Sequence, residues 1–263
     1  MTDGAVRTIL GVDLASVAER TAACRLGRGP DGLRVLGVES GCTDDRIVDL
    51  AAGARVVAID APLGWPEPFL RAVSAYAAGD AWRWPEPIRT LPPGKEGEEA
   101  RREATRLLRF RATDFDVHEK TGIWPLSVSS DLIGIVAFRA AGLCTRLRWG
   151  SPARDGSTDV IEAYPAAALQ TWGIDRSGYK EPGARAKRGE ILDALIRRHE
   201  LEIGGFREAL VADDDCLDAL VAALVGDAYA DKRTEPIPPE HEERARTEGW
   251  IHLPHQETDA HRG

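Results

Sequence analysis

Four aspartates stand at positions where a cation site built from carboxylates would need them. Asp13 ends the apolar run 9–12, and Asp60 ends a second apolar run, 56–59. Asp215 and Asp218 are three residues apart at the start of an apolar stretch that ends near Val225. A carboxylate at the buried end of a strand is costly unless a partner compensates its charge. The spacing therefore predicts that the four acids share one cation site.

The chemistry that such a site favours is metal-dependent hydrolysis of a phosphodiester. Ligand sets made only of oxygen suit Mg²⁺ or Mn²⁺, and two such ions about 4 Å apart can activate a water and stabilise the leaving oxygen. We expect Asp13 to bridge the ions, with Asp60, Asp215 and Asp218 holding one or both. Ordinary structural roles stay open as well, because Asp13 or Asp60 can cap a turn and Asp215 can serve a helix N-terminus.

Two further acids have open roles. Glu162 lies in a predicted strand beside the fourth strand, so it either joins the four aspartates or pairs with an arginine from the insertion over about residues 64–126. Asp114 either positions substrate or caps a helix.

The elements that must position these acids follow an α/β pattern. Apolar runs and turn signals predict three strands, a short helix after Thr43 and a fourth strand, in the order β-β-β-α-β. These strands are predicted over residues 8–14, 19–26, 33–40 and 55–60. If the fourth strand lies parallel to the first and beside it, Asp13 and Asp60 meet at one edge of the sheet.

The rest of the chain completes a mixed five-stranded sheet flanked by helices. A fifth strand is predicted at 160–165, and helices at 130–143, 186–199 and 213–230. In the last of these helices, Asp215 and Asp218 share a face because they are three residues apart. We expect a single domain over residues 1–250 and a flexible tail over 251–263.

A Trp- and Pro-rich insertion follows the fourth strand, over about residues 64–126. It contains a predicted helix near 97–109, and it includes Pro85, Pro87, Pro92, Pro93, Trp65, Trp82, Trp84 and Trp124. Long irregular excursions of this kind are often functional. The tryptophans either pack as a lid on the core or stack on nucleobases.

Composition limits the classes of partner. The net charge of -9 disfavours tight nonspecific binding to nucleic acid, although five arginines against one glutamate between residues 101 and 111 supply local positive charge. The chain shows neither a leader sequence nor an apolar run near the ~20 residues of a membrane span. We therefore expect a cytoplasmic protein with no membrane partner.

The motifs taken in order resemble the domain of unknown function 429 family. The resemblance covers about residues 8–250 and is carried by 11–15 (GVDLA), 58–64 (AIDAPLG), Arg111 with Asp114, 161–165 (IEAYP), 178–180 (GYK) and 215–220 (DCLDAL). That family is regarded as predicted nucleases of the ribonuclease H-like superfold. By similarity to resolvases of the RuvC type, Asp13 would match the first-strand acid, Asp60 the fourth-strand acid, and Asp215 and Asp218 the final-helix pair. The resemblance also makes Arg111 and Lys180 candidate accessory residues.

Three hypotheses follow for the function. The favoured one is a Mg²⁺- or Mn²⁺-dependent nuclease whose partner is DNA or RNA. The second is a non-catalytic scaffold of the same fold that binds a small molecule or a protein in its acidic pocket. The third is a phosphotransferase of the sugar kinase and actin superfamily, which is disfavoured because the core occurs once and no glycine-rich phosphate loop follows the first strand.

Overall fold

A mixed six-stranded sheet forms the centre of the protein. The structure, a computed structural model, describes residues 6–86, 88–91, 95–131, 133–147 and 153–256. The strands are β1 (Arg7–Asp13), β2 (Ala22–Gly29), β3 (Gly32–Ser40), β4 (Val56–Asp60), β5 (Val160–Glu162) and β6 (Leu201–Glu202). Their order across the sheet is β5-β4-β1-β2-β3-β6. The pairs β1–β4, β4–β5 and β3–β6 are parallel, and β1–β2 and β2–β3 are antiparallel.

Ten α-helices accompany the sheet in the described part of the chain. They are α1 (Asp44–Ala51), α2 (Glu67–Ala77), α3 (Lys95–Arg109), α4 (Ala112–Thr121), α5 (Gly134–Leu147), α6 (Pro165–Thr171), α7 (Arg185–His199), α8 (Arg207–Ala212), α9 (Asp214–Ala230) and α10 (Glu242–Glu248). The β-β-β-α-β order and the parallel position of the fourth strand beside the first are confirmed. None of the described helices combines the length and the apolarity that crossing a membrane requires.

Helices cover both faces of the sheet. Successive residues of its central strands point to opposite sides, and apolar residues on both sides need to be buried. Ile9 of β1 packs into a core that includes α7 and α9, whereas Leu10 and Val12 pack into a second core that includes α1 and α5. Covering both faces explains why β1 and β4 are continuous apolar runs, and it leaves the strand ends as the accessible edge.

The prediction of five strands misses β6, which has two residues and pairs with β3. A segment this short carries no periodicity that a sequence pattern could show. The strand predicted from residue 19 begins instead at Ala22, because residues 18–20 form a 3₁₀ turn.

The insertion is more helical than predicted, since α2 and α4 lie on either side of the expected helix α3. Trp82 and Trp84 are 44% and 43% exposed, and their rings contact each other edge to face. They are therefore not buried as a lid on the core. Pro87, Pro92 and Pro93 lie outside the described residues.

The ordered chain continues beyond the predicted domain end at residue 250. Ile251 and Leu253 are buried and pack with Val117 and Ala167, and Ile251 forms a bridge with Glu162 of β5. Residues 251–254 thus belong to the fold rather than to the predicted tail, because their apolar side chains fill the space beside α4 and α6. Residues 257–263 lie outside the described part of the chain.

Candidate metal centre

Three carboxylates converge at the carboxyl ends of β1 and β4. Asp13 and Asp60 are direct register partners across the parallel pair, so their backbones end side by side. Asp218 joins them from α9. One oxygen from each of the three carboxylates lies within 4.8 Å of the others. Three of the four predicted ligands therefore share one place, and we call them the aspartate trio.

Helix α9 reaches the trio because a glycine in β1 lets it approach the sheet closely. A Cβ built on Gly11 would lie 2.2 Å from the carbonyl oxygen of Ala219 and 2.3 Å from the nitrogen of Ala223. Any larger side chain would displace the helix. The close approach carries Asp218, one residue before Ala219, down to the strand ends, where it is fully buried.

The start of α9 uses its other acids differently. Asp213 caps the helix, with its side chain accepting a hydrogen bond of 3.0 Å from the backbone nitrogen of Asp215. The Asp215 carboxylate accepts two hydrogen bonds from Arg20, of 2.8 and 3.0 Å. The structure thus places Asp215 in an ion pair near the surface, beside the trio but not among the three carboxylates that lie within ligand distance.

The trio contains two carboxylates without a hydrogen-bond donor. In the part of the chain that the structure describes, no group donates a hydrogen bond to the side chain of Asp13 or Asp60. Asp218 is different, since the Tyr179 hydroxyl donates to it at 2.8 and 3.1 Å and the Lys180 ammonium lies 2.5 Å from its Oδ2. Asp13 and Asp60 are half-buried and line a cavity, so their oxygens stay accessible to a ligand from that side. Such acids are well suited to hold a cation.

Burial raises the pKa of every member of the trio, and repulsion from other members adds to the shift in Asp13 and Asp60. Burial, with the charge of Asp218, raises the pKa of Asp60 to about 8. Burial, together with the charges of Asp60 and Asp218, raises the pKa of Asp13 well above its ordinary value. Burial also raises the pKa of Asp218, although Lys180 and Tyr179 oppose the shift. Protons bound to these carboxylates reduce the repulsion between them, and a divalent cation would reduce it in the same way.

The turn that carries Tyr179 and Lys180 is held by a buried arginine. From α7, Arg188 donates to the carbonyl oxygen of Tyr179 at 2.8 Å and to those of Val211 and Ala212 at 2.9 and 3.1 Å. It therefore ties this turn to the end of α8, directly before α9. Sequence reasoning missed Tyr179 and Arg188 as supporting residues. Tyr179 lies in the 178–180 motif, which could have indicated it. Arg188 lies in a helix rich in charged residues, where nothing distinguishes it from its neighbours.

Glu162 is engaged by an arginine from the insertion, which is one of its two predicted alternatives. Arg111 donates to both oxygens of Glu162 at 2.7 Å and to Asp114 at 2.9 Å, and all three residues are buried. The backbone nitrogen of Leu63 donates to Glu162 at 3.0 Å. Burial raises the pKa of Glu162, and Arg111 opposes this shift. Asp114 also accepts from the backbone nitrogen of Arg111 at 2.8 Å, which caps α4.

A cavity of about 320 Å³ opens beside the trio. Asp13, Asp60 and Lys180 line it, together with Arg111 and Glu162 of the buried ion pair. Apolar side chains from the strand-end loops, from the loop before α5 and from α5 itself supply the other walls. The arrangement can hold a divalent cation on carboxylate oxygens and place a substrate group in the adjoining space.

Comparison with known protein families matches residues 11–243 to the family described as protein of unknown function, DUF429. A search of curated proteins and a search of solved structures found no match. The matched span contains the aspartate trio, the Arg111–Glu162 pair and the turn with Lys180. The chain therefore belongs to the DUF429 family.

Proposed function

We propose that the protein is a Mg²⁺- or Mn²⁺-dependent phosphodiesterase that acts on nucleic acid, with a ribonuclease H-like arrangement of its sheet and acids. The observation that carries the proposal is the pair of half-buried carboxylates, Asp13 and Asp60, which receive no hydrogen bond from the described residues and face a buried acid, Asp218. Bound cations would supply an activated water and would stabilise the leaving oxygen.

The residues of the chain contribute binding and orientation. Asp13, Asp60 and Asp218 hold the cations, and Tyr179 fixes the Asp218 carboxylate by its hydrogen bonds. The side chain of Lys180 is 54% exposed and lines the cavity, where it can meet a substrate phosphate. The Arg111–Glu162 pair supports the loop at Leu63, next to Asp60.

The non-catalytic scaffold remains the second candidate because part of the acidic charge is already neutralised by Lys180 and Arg111. It would use the same cavity to bind a small molecule without cation chemistry. The phosphotransferase alternative requires a second copy of the β-β-β-α-β core, and the described residues contain one copy.

Titration with Mn²⁺ by calorimetry separates these candidates. We expect saturable binding by the wild type, loss of at least about tenfold in affinity in Asp13→Asn, and near wild-type affinity in Asp215→Asn, whose acid pairs with Arg20. In the metal-free state, Asp13→Asn should melt at the same temperature as the wild type or higher, since it relieves repulsion within the trio.

Hydrolysis of DNA and RNA oligonucleotides with Mn²⁺ or Mg²⁺ then tests the reaction itself. Activity that depends on the cation, disappears in Asp13→Asn and survives in Asp215→Asn would support the phosphodiesterase. If the wild type binds no Mn²⁺ with or without an oligonucleotide present, the phosphodiesterase proposal fails and the scaffold is favoured.

A further inference from the structure

The cavity beside the aspartate trio has apolar walls, and a cation bound to the three carboxylates would not contact them. We propose that these walls bind one unpaired nucleobase of the substrate, so that the substrate class is single-stranded or locally opened nucleic acid. This inference rests on the proposed phosphodiesterase function and names the substrate class for the same site.

The chemistry of the walls favours a flat, uncharged group. Leu14, Pro62, Leu126, Ile133 and Val136 line the cavity with aliphatic groups, and Tyr164 adds an aromatic side chain. Nucleobases gain affinity from apolar and aromatic surfaces of this kind without sequence preference. A phosphate gains nothing from them, because its charge needs cationic or hydrogen-bonding partners.

The charged groups that line the cavity do not direct a phosphate to the apolar walls. Arg111 lines the cavity, but its guanidinium donates to Glu162, to Asp114 and to the carbonyl oxygen of Glu248. Holding a ligand phosphate would require Arg111 to leave two buried carboxylates unpaired, which is costly. Lys180, in contrast, pairs with Asp218 and lies beside the trio. The phosphate is therefore expected at the trio and the base against the apolar walls.

The size of the cavity sets a limit on its occupant. A volume of about 320 Å³ lies at the lower end of the ~300–1,000 Å³ of small-molecule sites. One nucleoside fits such a space, whereas a stacked base pair with its neighbours does not. A base within a duplex must leave its stack to enter a pocket, which costs free energy, while a single strand offers its bases directly.

The exposure of Leu126 supports an apolar occupant. This side chain lines the cavity and yet is 60% exposed. A ligand that covers it would remove apolar surface from water, which is favourable. Ile135 on α5 is equally exposed, at 61%, but it is not part of the cavity wall. The two residues form a matched pair for a test.

The test is titration of the metal-free protein with thymidine and deoxyadenosine, followed by NMR chemical shifts, with deoxyribose and cyclohexanol as probes that lack a base. The wild type should bind both nucleosides saturably and bind neither control probe. Leu126→Gln should weaken nucleoside binding by about fivefold or more, while Ile135→Gln should leave it unchanged. Ala166 also lines the cavity, so Ala166→Phe should fill part of the space with a ring and abolish nucleoside binding.

Three outcomes would overturn the inference. They are an absence of nucleoside binding, equal effects of Leu126→Gln and Ile135→Gln, and binding of cyclohexanol as tight as that of thymidine. Because this titration uses no metal, its failure is distinct from a failure of the phosphodiesterase. A protein that binds Mn²⁺ but no nucleoside loses the base site only, and one that binds nucleosides but no Mn²⁺ loses the proposed reaction only.

Discussion

The ammonium of Lys180 lies 2.5 Å from the Oδ2 atom of Asp218, a carboxylate whose side chain is fully buried. The lysine side chain itself is 54% exposed, so it approaches the aspartate trio from solvent. Its positive charge offsets part of the negative charge that a divalent cation would otherwise neutralise. A metal ion bound at the trio would therefore act on the same carboxylate as Lys180, and this relationship has consequences that can be measured.

Replacement of Lys180 by Met should tighten the binding of Mn²⁺ and slow hydrolysis. The affinity should increase by about tenfold because the ammonium no longer competes for Asp218, and kcat should decrease because a positive charge next to the phosphate is lost. Calorimetry and oligonucleotide cleavage measure the two effects. Lys120→Met is the matched control, since Lys120 pairs with Asp116 on α4. Weaker Mn²⁺ binding in Lys180→Met would show that the lysine organises the trio instead of competing with the cation.

The metal-free protein should lose stability as the pH rises from about 4 to about 8. Burial raises the pKa of Asp60 from 3.8 to about 8, so between these values the folded state holds a proton that the unfolded state has lost. A group that binds more protons in the folded state lowers the free energy of unfolding as the pH increases. Thermal unfolding at a series of pH values should show this decline, and it should be smaller in Asp60→Asn. Identical slopes for the two proteins would contradict the assignment.

The apparent affinity for Mn²⁺ should increase with pH over the same range. Cation binding must displace the protons held by Asp13 and Asp60, since only the carboxylate form is a ligand. The affinity should change by about tenfold per pH unit for each proton displaced, and the part due to Asp60 should level off above its pKa of about 8. Calorimetry in buffers of different ionisation enthalpy counts the protons released. Binding that releases no proton would place the cation elsewhere.

Removal of the buried Arg111 should be far more destabilising than removal of an exposed arginine. Arg111→Leu leaves the buried carboxylates of Glu162 and Asp114 without their partner, and breaking such a buried pair costs about 3–5 kcal/mol. Arg20→Leu removes an ion pair whose arginine side chain is 65% exposed, which should cost less than about 1 kcal/mol. Urea unfolding measures both. Equal losses would mean that the buried pair contributes no more than a surface pair does.

The contact between β1 and α9 should tolerate no side chain at Gly11. Gly11→Ala should destabilise the protein by about 1–3 kcal/mol and weaken Mn²⁺ binding, because the helix that carries Asp218 must shift. Gly37→Ala in β3 is the control, since a Cβ there meets nothing within 4 Å, and its stability should be unchanged or slightly higher. Wild-type stability and Mn²⁺ affinity in Gly11→Ala would show that the helix can move without disturbing the trio.

Much of the fold could be predicted because the relevant signals are local. Apolar runs that end in Asp13 and Asp60 identify strands covered on both faces, and β1 and β4 occupy those places. The helix predicted over 213–230 is α9, which begins at Asp214 and ends at Ala230. Strand β6 and helices α2 and α4 were not predicted, because a two-residue strand has no period and because prolines and tryptophans around the two helices divide the insertion into short segments.

By itself, the sequence determined which acids end apolar strands and which lie in the final helix, since both follow from residue types and spacing along one element. Only the tertiary structure decided how those acids are divided. Asp218 joins Asp13 and Asp60 because Gly11 lets α9 pack against β1, whereas Asp215 turns to Arg20, 195 residues away in the chain. The same holds for Glu162, which Arg111 reaches across 51 residues. Charge pairing between distant segments depends on packing, and no local pattern encodes it.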